Sequence, residues 1–311
     1  MKIFDIGAKG FSLKEIPQVL PENGLLILCD AGEVRDLAMR FGWDEGTVAE
    51  CASSDEAIRY AVYDEYDFIS LIHVEVTGGA VIQREVNLFV SRQYIVLALP
   101  DHAGDCLSVF ADALCHTVEN TRPNNPEQLY QLVFGKLAAD YSDALEKLED
   151  DMEALSEAVA EEPRKSQINE IVRLRKAAYT IRKILRAISY MGDDILMDEN
   201  SLLHKRQARH LRSINTRFKS LYDFAASLYE LSGEILGIYD SNLSIKMNES
   251  INKLTAIMLF LALITMITGV FSMDFRFLPE IDLVVGYPLA LGLMAVICFV
   301  IYRILRKRQW L

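Results

Sequence analysis

The sequence predicts an α+β cytosolic domain, then a long stalk helix, then two transmembrane helices. Three observations carry this. Strand-like and helix-like runs alternate up to residue 126, helical spacing dominates residues 127–253, and residues 254–311 hold two apolar spans. The spans, Leu254–Ser272 and Leu283–Tyr302, run to 19 and 20 residues without a charge. A helix needs about 20 residues to cross the hydrocarbon core.

In residues 1–126, runs rich in Val, Ile, Leu and Phe mark strands at Gly24–Asp30, Phe68–Val76, Glu85–Val90 and Tyr94–Leu99. Helical spacing is read at Ala31–Phe41, Ser54–Tyr63 and Ala103–Glu119. The Gly78-Gly79 pair sits between two strand runs and predicts a hairpin, hence some antiparallel pairing. No glycine-rich phosphate loop is present.

The stretch Arg122-Pro123-Asn124-Asn125-Pro126 breaks the chain, and helices follow. The first covers Glu127–Glu161, stopped by Glu162-Pro163. The second covers Ser166–Met191 and stops near Gly192. A third starts near Asn200 and meets nothing that ends it before the membrane. Its apolar residues Leu211, Ile214, Phe218, Leu221, Ala225, Leu228, Ile235 and Ile238 recur at three and four, the spacing of a buried seam. Continued through Ser272, this helix is about 110 Å long at 1.5 Å per residue. A lone helix of that length is unstable in water, so it needs partners and the chain is expected to be an oligomer.

Charge sets the orientation. Lys246 and Lys253 precede the first span, and Arg303, Arg306, Lys307 and Arg308 follow the second. The link between them holds Arg276 against Asp274, Glu280 and Asp282. Basic residues stay on the cytoplasmic side, so both termini are expected in the cytosol of a multi-pass inner or plasma membrane protein. Met1-Lys2-Ile3-Phe4-Asp5 contains no apolar signal core. Five basic and three acidic residues follow Leu254, so the total of −12 leaves −14 on residues 1–253. An acidic soluble part excludes a nucleic-acid partner and suits cations. The five cysteines show no paired spacing, as in a reducing compartment.

Within the third helix the seven-residue repeat changes chemistry. Steps of four and three from Gly237 give Ser241, Ser244, Asn248, Ile251, Thr255, Met258, Ala262, Thr265 and Gly269. Small residues at this spacing let membrane helices pack closely. In a ring of helices the same stripe lines a pore. The pattern alone serves both readings. The acid after the span, in Phe271-Ser272-Met273-Asp274, favours the pore, because an acid at a membrane edge is a functional residue by default.

Other polar clusters carry less. Glu146, Glu149, Asp150, Asp151, Glu153, Glu157, Glu161 and Glu162 face the basic Arg173, Arg175, Lys176, Arg182, Lys183 and Arg186 as solvated sides of neighbouring helices. Asp193-Asp194 and Asp198-Glu199 suit a hydrated ion or a turn equally. The five histidines are scattered without a helical zinc pair, and Cys115-His116 point apart on a helix. Neither an enzyme nor a bound cofactor is expected.

The segment Tyr239-x-Ser241-x-x-Ser244-x-x-Met247-Asn248-Glu249 with Leu254-Thr255 resembles the membrane-entering helix of the CorA-type magnesium and divalent-cation transporters. Leu278-Pro279-Glu280 is similar to that family's external loop, and Arg306-Lys307-Arg308-Gln309-Trp310-Leu311 to its basic C-terminus. Tyr63–Phe68 and Arg84–Val90 resemble its cytosolic domain more loosely. The resemblance implies a homopentameric funnel with a central pore lined by Ser244, Asn248, Ile251, Leu254, Met258, Ala262, Thr265 and Gly269. It implies a hydrophobic gate near Ile251, Leu254 and Ala262, and a filter at Ser272, Met273 and Asp274 with Asp274 meeting the metal. The family's Gly-Met-Asn is here Ser-Met-Asp, and an acidic residue common low in its stalk is here Gly237. Five carboxylates in one ring repel each other and favour any cation that neutralises them. Mg²⁺ is usually met through its waters, so the change from amide to carboxylate is expected to alter selectivity. The candidate ions are Mg²⁺ first, with Na⁺, Ca²⁺ and Co²⁺ as alternatives. A non-conducting membrane sensor is the remaining reading.

Overall fold

The computed structural model describes residues 1–5, 12–13, 15–17, 20–21, 24–52, 57–99, 104–121, 123, 126–198, 202–271 and 286–307. Seven strands come first: β1 (Lys2–Asp5), β2 (Ser12–Leu13), β3 (Leu25–Asp30), β4 (Arg59–Val62), β5 (Tyr66–Thr77), β6 (Ala80–Ser91) and β7 (Tyr94–Leu99). Helices α1 (Ala31–Phe41) and α2 (Glu45–Ala52) fall between β3 and β4. Helices α3 (Gly104–Thr121), α4 (Pro126–Glu161), α5 (Lys165–Met197), α6 (Leu202–Phe271) and α7 (Gly286–Lys307) follow. They group into two compact units, Met1–Ala158 with Arg164–Leu236, and Val159–Pro163 with Gly237–Leu311.

In the first unit the strands form one sheet in the order β2-β1-β3-β7-β6-β5-β4. Only the β3–β7 pairing is parallel; the others run antiparallel. The four predicted strand runs sit in β3, β5, β6 and β7. Their centres are buried on both faces, which explains apolar runs in place of strict alternation. The predicted hairpin joins β5 to β6, with Thr77 opposite Ala80. Gly78 at φ 56° and Gly79 at φ 73° supply the left-handed pair that a two-residue hairpin turn requires. Gly79 also lies so close to α5 that an added Cβ would sit 2.9 Å from Leu174 Cδ2.

One prediction fails here. The helix expected over Ser54–Tyr63 is instead strand β4 at Arg59–Val62, and the helix of this region lies earlier, at Glu45–Ala52. Residues 53–56 fall outside the described residues. The chain turns back within four residues, with the Tyr63 N–H donating to the Tyr66 carbonyl at 2.9 Å. β4 then pairs with β5, Arg59 opposite Ser70 through Val62 opposite Asp67. Sheet pairing overrides a local helical spacing in so short a segment.

The helices bury seams at the predicted spacing. On α4 the seam includes Leu137, Tyr141, Leu145, Leu148 and Met152; on α5 it includes Ile171, Leu174, Ala178, Ile181, Leu185 and Ile188. Tyr141 is completely buried, donates to the Ile72 carbonyl of β5 at 2.5 Å, and meets Phe218 of α6 edge-on at 6.3 Å. α5 does not stop at Gly192. That glycine lets α6 approach, since a Cβ there would lie 2.5 Å from Asn215 Oδ1. On α6 the seam runs through Leu211, Asn215, Phe218, Leu221, Ala225, Leu228, Ser232, Ile235 and Tyr239. Ile238, expected inside, is 38 % exposed, because the step of four from Ile235 lands on Tyr239.

Candidate ion pathway

α6 is 70 residues long, about 105 Å at 1.5 Å per residue, as its uninterrupted helical spacing predicts. Its C-terminal part belongs to the second unit. There its surroundings change. Ser244, Asn248, Ile251, Leu254, Met258, Ala262, Thr265 and Gly269 are all exposed, with Ile251, Leu254 and Met258 more than half so. A different face of the same helix is covered: Ala256 is 1 % exposed, and Asn252, Phe260, Leu263 and Ile267 are half-buried. The candidate stripe therefore points away from the part of α6 that its own chain covers.

The span is built to do without water. Arg209–Gly269 contains a stretch long and apolar enough to cross a membrane, and only 6 % of that stretch is buried. Hydroxyls inside it donate to their own helix, Thr265 to the Leu261 carbonyl at 2.8 Å and Thr268 to the Ile264 carbonyl at 2.9 Å. A donor satisfied in this way is tolerable in hydrocarbon. α7 repeats the pattern. Leu305 is buried, while Leu291, Val296, Phe299, Val300 and Ile304 are exposed. Arg306 and Lys307 sit in its last turn, where cations complement the helix dipole.

Two residues just below the span have a role that the sequence did not reveal. α4 ends before Pro163, so its last carbonyls lack helical partners. The Asn242 amide supplies donors, reaching the Val159 carbonyl at 3.2 Å and the Ala160 carbonyl at 3.4 Å. Lys246 pairs with Glu162 at 3.7 Å. The only signal was the Glu162-Pro163 break itself, which leaves those carbonyls unpaired but does not say what meets them.

The predicted filter, Ser272, Met273 and Asp274, lies outside the described residues, as does Glu280 of the link. Among the described residues no three His, Cys, Asp or Glu side chains converge on a metal-sized point. Asp193, read as part of an ion-or-turn pair, lies within α5 and accepts from Asn215 Nδ2 and Lys219 Nζ, both at 2.7 Å. Glu199 of the other pair is not among the described residues. Gly237 is exposed with no neighbour near its missing Cβ. Cys115 is buried and His116 exposed, so they do point apart. Burial pushes the Cys29 and Cys51 thiols up to about 12, which leaves them protonated and inert.

A buried polar group in the first unit also escaped the sequence. His73 Nε2 meets Asp140 Oδ2 at 3.1 Å, and Lys136 reaches the other carboxylate oxygen. They border a cavity of about 360 Å³ with Glu75, Asp143 and Lys147. Burial alone raises the Asp140 pKa, but its hydrogen bonds and charge interactions with His73 and Lys136 outweigh this and lower it below the usual carboxylate value. The partners are 67 residues apart, beyond any local pattern.

An α/β sheet domain leads into one 70-residue helix that contains a stretch long and apolar enough to cross a membrane, and a second apolar helix follows it. The model of the CorA-like Mg²⁺ transporter protein family matches residues 28–307, and the chain belongs to that family. The cobalt/magnesium transport protein CorA of Thermotoga maritima is 25 % identical over 227 residues, covering 73 % of this chain and 64 % of that protein. The magnesium transport protein CorA of Campylobacter jejuni is 26 % identical over 152 residues, 44 % of this chain and 46 % of that one. These matches thus span about half to two thirds of the relatives' length. The complete structure of the CorA magnesium transporter from Methanocaldococcus jannaschii superposes with a TM-score of 0.83 at 20 % identity, over 100 % of this chain and 98 % of that chain, and shows the same fold.

Proposed function

We propose that this chain is a membrane cation channel that passes divalent ions, Mg²⁺ first, down their electrochemical gradient. The observation that carries this is the exposed stripe of Ser244, Asn248, Ile251, Met258, Ala262, Thr265 and Gly269 on a membrane-length helix of a transporter family. A single chain leaves that stripe uncovered. Five copies in a ring bring five stripes together around one axis, and a homopentamer is the arrangement we favour. Ser244 and Asn248 then offer polar groups to a hydrated ion. Ile251, Leu254 and Ala262 form an apolar constriction that closes by losing its water. Residues 1–126 act as the cytosolic domain, 127–253 as the helical region with the stalk, and 254–311 as the membrane region, with both termini in the cytosol of the cell membrane. A potential of 100 mV, negative inside, favours entry by about 2.3 kcal/mol per charge.

In this reading Ser272, Met273 and Asp274 form the outer filter, with Glu280 in the external link. Asp274 also favours a second reading. A carboxylate ring binds more tightly than the amide ring it replaces and suits less strongly hydrated ions, Na⁺ first and then Ca²⁺. Flux into reconstituted vesicles separates the two, with the native protein and the Asp274→Asn variant side by side. Mg²⁺ entry through both, with altered selectivity in the variant, is the expected result. Na⁺ entry dependent on Asp274 with no Mg²⁺ entry in either form would establish the monovalent channel. Protein that moves no cation under any gradient would be a membrane sensor.

A further inference from the structure

One face at the C-terminal end of α7 presents Phe299, Tyr302, Arg303, Arg306 and Lys307 around a shallow, open cleft. Its three cations are exposed, and none makes an ion pair among the described residues. The Arg303 guanidinium lies over the Phe299 ring, 6.0 Å from its centroid. Leu305 on another face is 4 % exposed, so the covered side of α7 is fixed and the cations are held out from it. The chain as a whole carries −12, which makes a basic cluster here a local exception.

What surrounds the cleft narrows the ligand. One and two turns before the cations, Val300 and Val296 present exposed apolar side chains on the membrane-facing stretch of α7. A ligand that fits is anionic at one end and hydrocarbon at the other. Free phosphate has no use for the apolar stretch, and a zwitterionic headgroup brings a cation of its own against the three already there. We propose that this cleft binds the phosphate of an anionic phospholipid in the cytosolic leaflet, with Arg303, Arg306 and Lys307 on the phosphate oxygens and an acyl chain along Val296 and Val300. The site rests on α7 spanning the bilayer as in the proposed function, and it does not depend on which ion passes.

Native mass spectrometry of the full-length assembly in mild detergent tests it, with phosphatidylglycerol titrated against phosphatidylcholine. The native protein is expected to retain phosphatidylglycerol preferentially. Each removed cation is expected to weaken that binding about fivefold, the equivalent of about 1 kcal/mol per basic residue at a membrane surface. The variants are Arg303→Gln, Arg306→Gln and Lys307→Gln, singly and together; the single variants give the answer if the triple one does not assemble. Equal retention of both lipids by the native protein overturns the proposal. So does an undiminished preference in the variants. Displacement of bound lipid by soluble glycerophosphate overturns it in favour of a free-phosphate site. Cation flux in vesicles, measured in parallel, reports on the transport reading separately, so the two fail independently.

Discussion

The lower and upper parts of α6 share one helix and one spacing, yet they end in opposite surroundings. From Leu211 to Tyr239 the residues recurring at three and four are buried; Phe218 is 2 % exposed and Ala225 not at all. From Ser244 to Gly269 the residues at the same spacing are exposed, with small and polar groups among them. The difference is one of partner. The lower seam is covered within its own chain, where Phe218 meets Tyr141 and Tyr229 meets Arg175. The upper stripe is not covered by its own chain. Periodicity reports that a face is organised, and residue type reports what the face is organised for.

The sharpest way to break this comparison is to cut the same kind of side chain from each part. Phe218→Ala is expected to cost about 3–5 kcal/mol, the range for a buried aromatic removed from a packed core. Ile251→Ala removes a side chain that is 51 % exposed in the single chain, so unfolding of that chain should barely register it. Its effect is expected in cation flux, through a wider constriction. Thermal unfolding in detergent, read beside vesicle flux, checks both. If Ile251→Ala lowers the melting temperature of the separated chain as much as Phe218→Ala does, the contrast between the two parts is wrong.

The same contrast explains what could be read from the chain and what could not. The strands at Leu25–Asp30, Tyr66–Thr77, Ala80–Ser91 and Tyr94–Leu99 were legible because apolar runs bounded by turn residues record burial directly. So were α4 and α6, whose length averages out local exceptions. Ser54–Tyr63 was misread because ten residues hold too few periods to separate a helix from an edge strand. Gly192 was misread because a glycine that ends a helix and one that admits a neighbouring helix look alike until Asn215 is seen beside it. That Ser244 through Gly269 share one exposed face of α6 was legible because they follow one another on one helix. Asn242 on the end of α4 and His73 on Asp140 were not, since both join positions far apart in the chain.

Gly192 offers a second, smaller test. Alanine normally favours a helix over glycine by about 1 kcal/mol. Here the new Cβ would lie 2.5 Å from Oδ1 and 2.7 Å from Cγ of Asn215, a buried side chain held by Asp193. Overpacking of this kind costs about 1–3 kcal/mol, so Gly192→Ala is expected to be destabilising on balance. A variant that melts higher than the native protein would mean that Gly192 is an ordinary weak point in α5, and that the close approach of α6 is dispensable.

Asn242→Ala probes the boundary between the two parts. It strips the donors from the Val159 and Ala160 carbonyls, and the expected loss is about 0.5–1.5 kcal/mol for hydrogen bonds that are only partly shielded. Hydrogen exchange localises the effect. The final turn of α4 should exchange faster while the seam around Phe218 is unchanged. Equal acceleration in both places would show that the junction and the lower seam unfold as one, and the distinction would lose its energetic basis.

The smallest effect belongs to Asp140, and its sign is fixed by the direction of its shift. His73 and Lys136 hold its folded pKa below the unfolded value of about 4, despite the opposing effect of burial. A carboxylate depressed in this way contributes stability that is fully present above the unfolded pKa and is lost as pH falls through the folded one. The native protein should therefore lose stability between about pH 4 and the lower folded value, in excess of what other groups cause. Asp140→Asn should lack that component while retaining a hydrogen-bonding group toward Lys136 or His73. Melting temperatures of the two proteins, compared from pH 6 downward, are expected to converge as the acid range is entered. Parallel curves would mean that Asp140 gains nothing from its neighbours on folding, and the His73 cluster would then be a place where the first unit tolerates charge rather than one that holds it together.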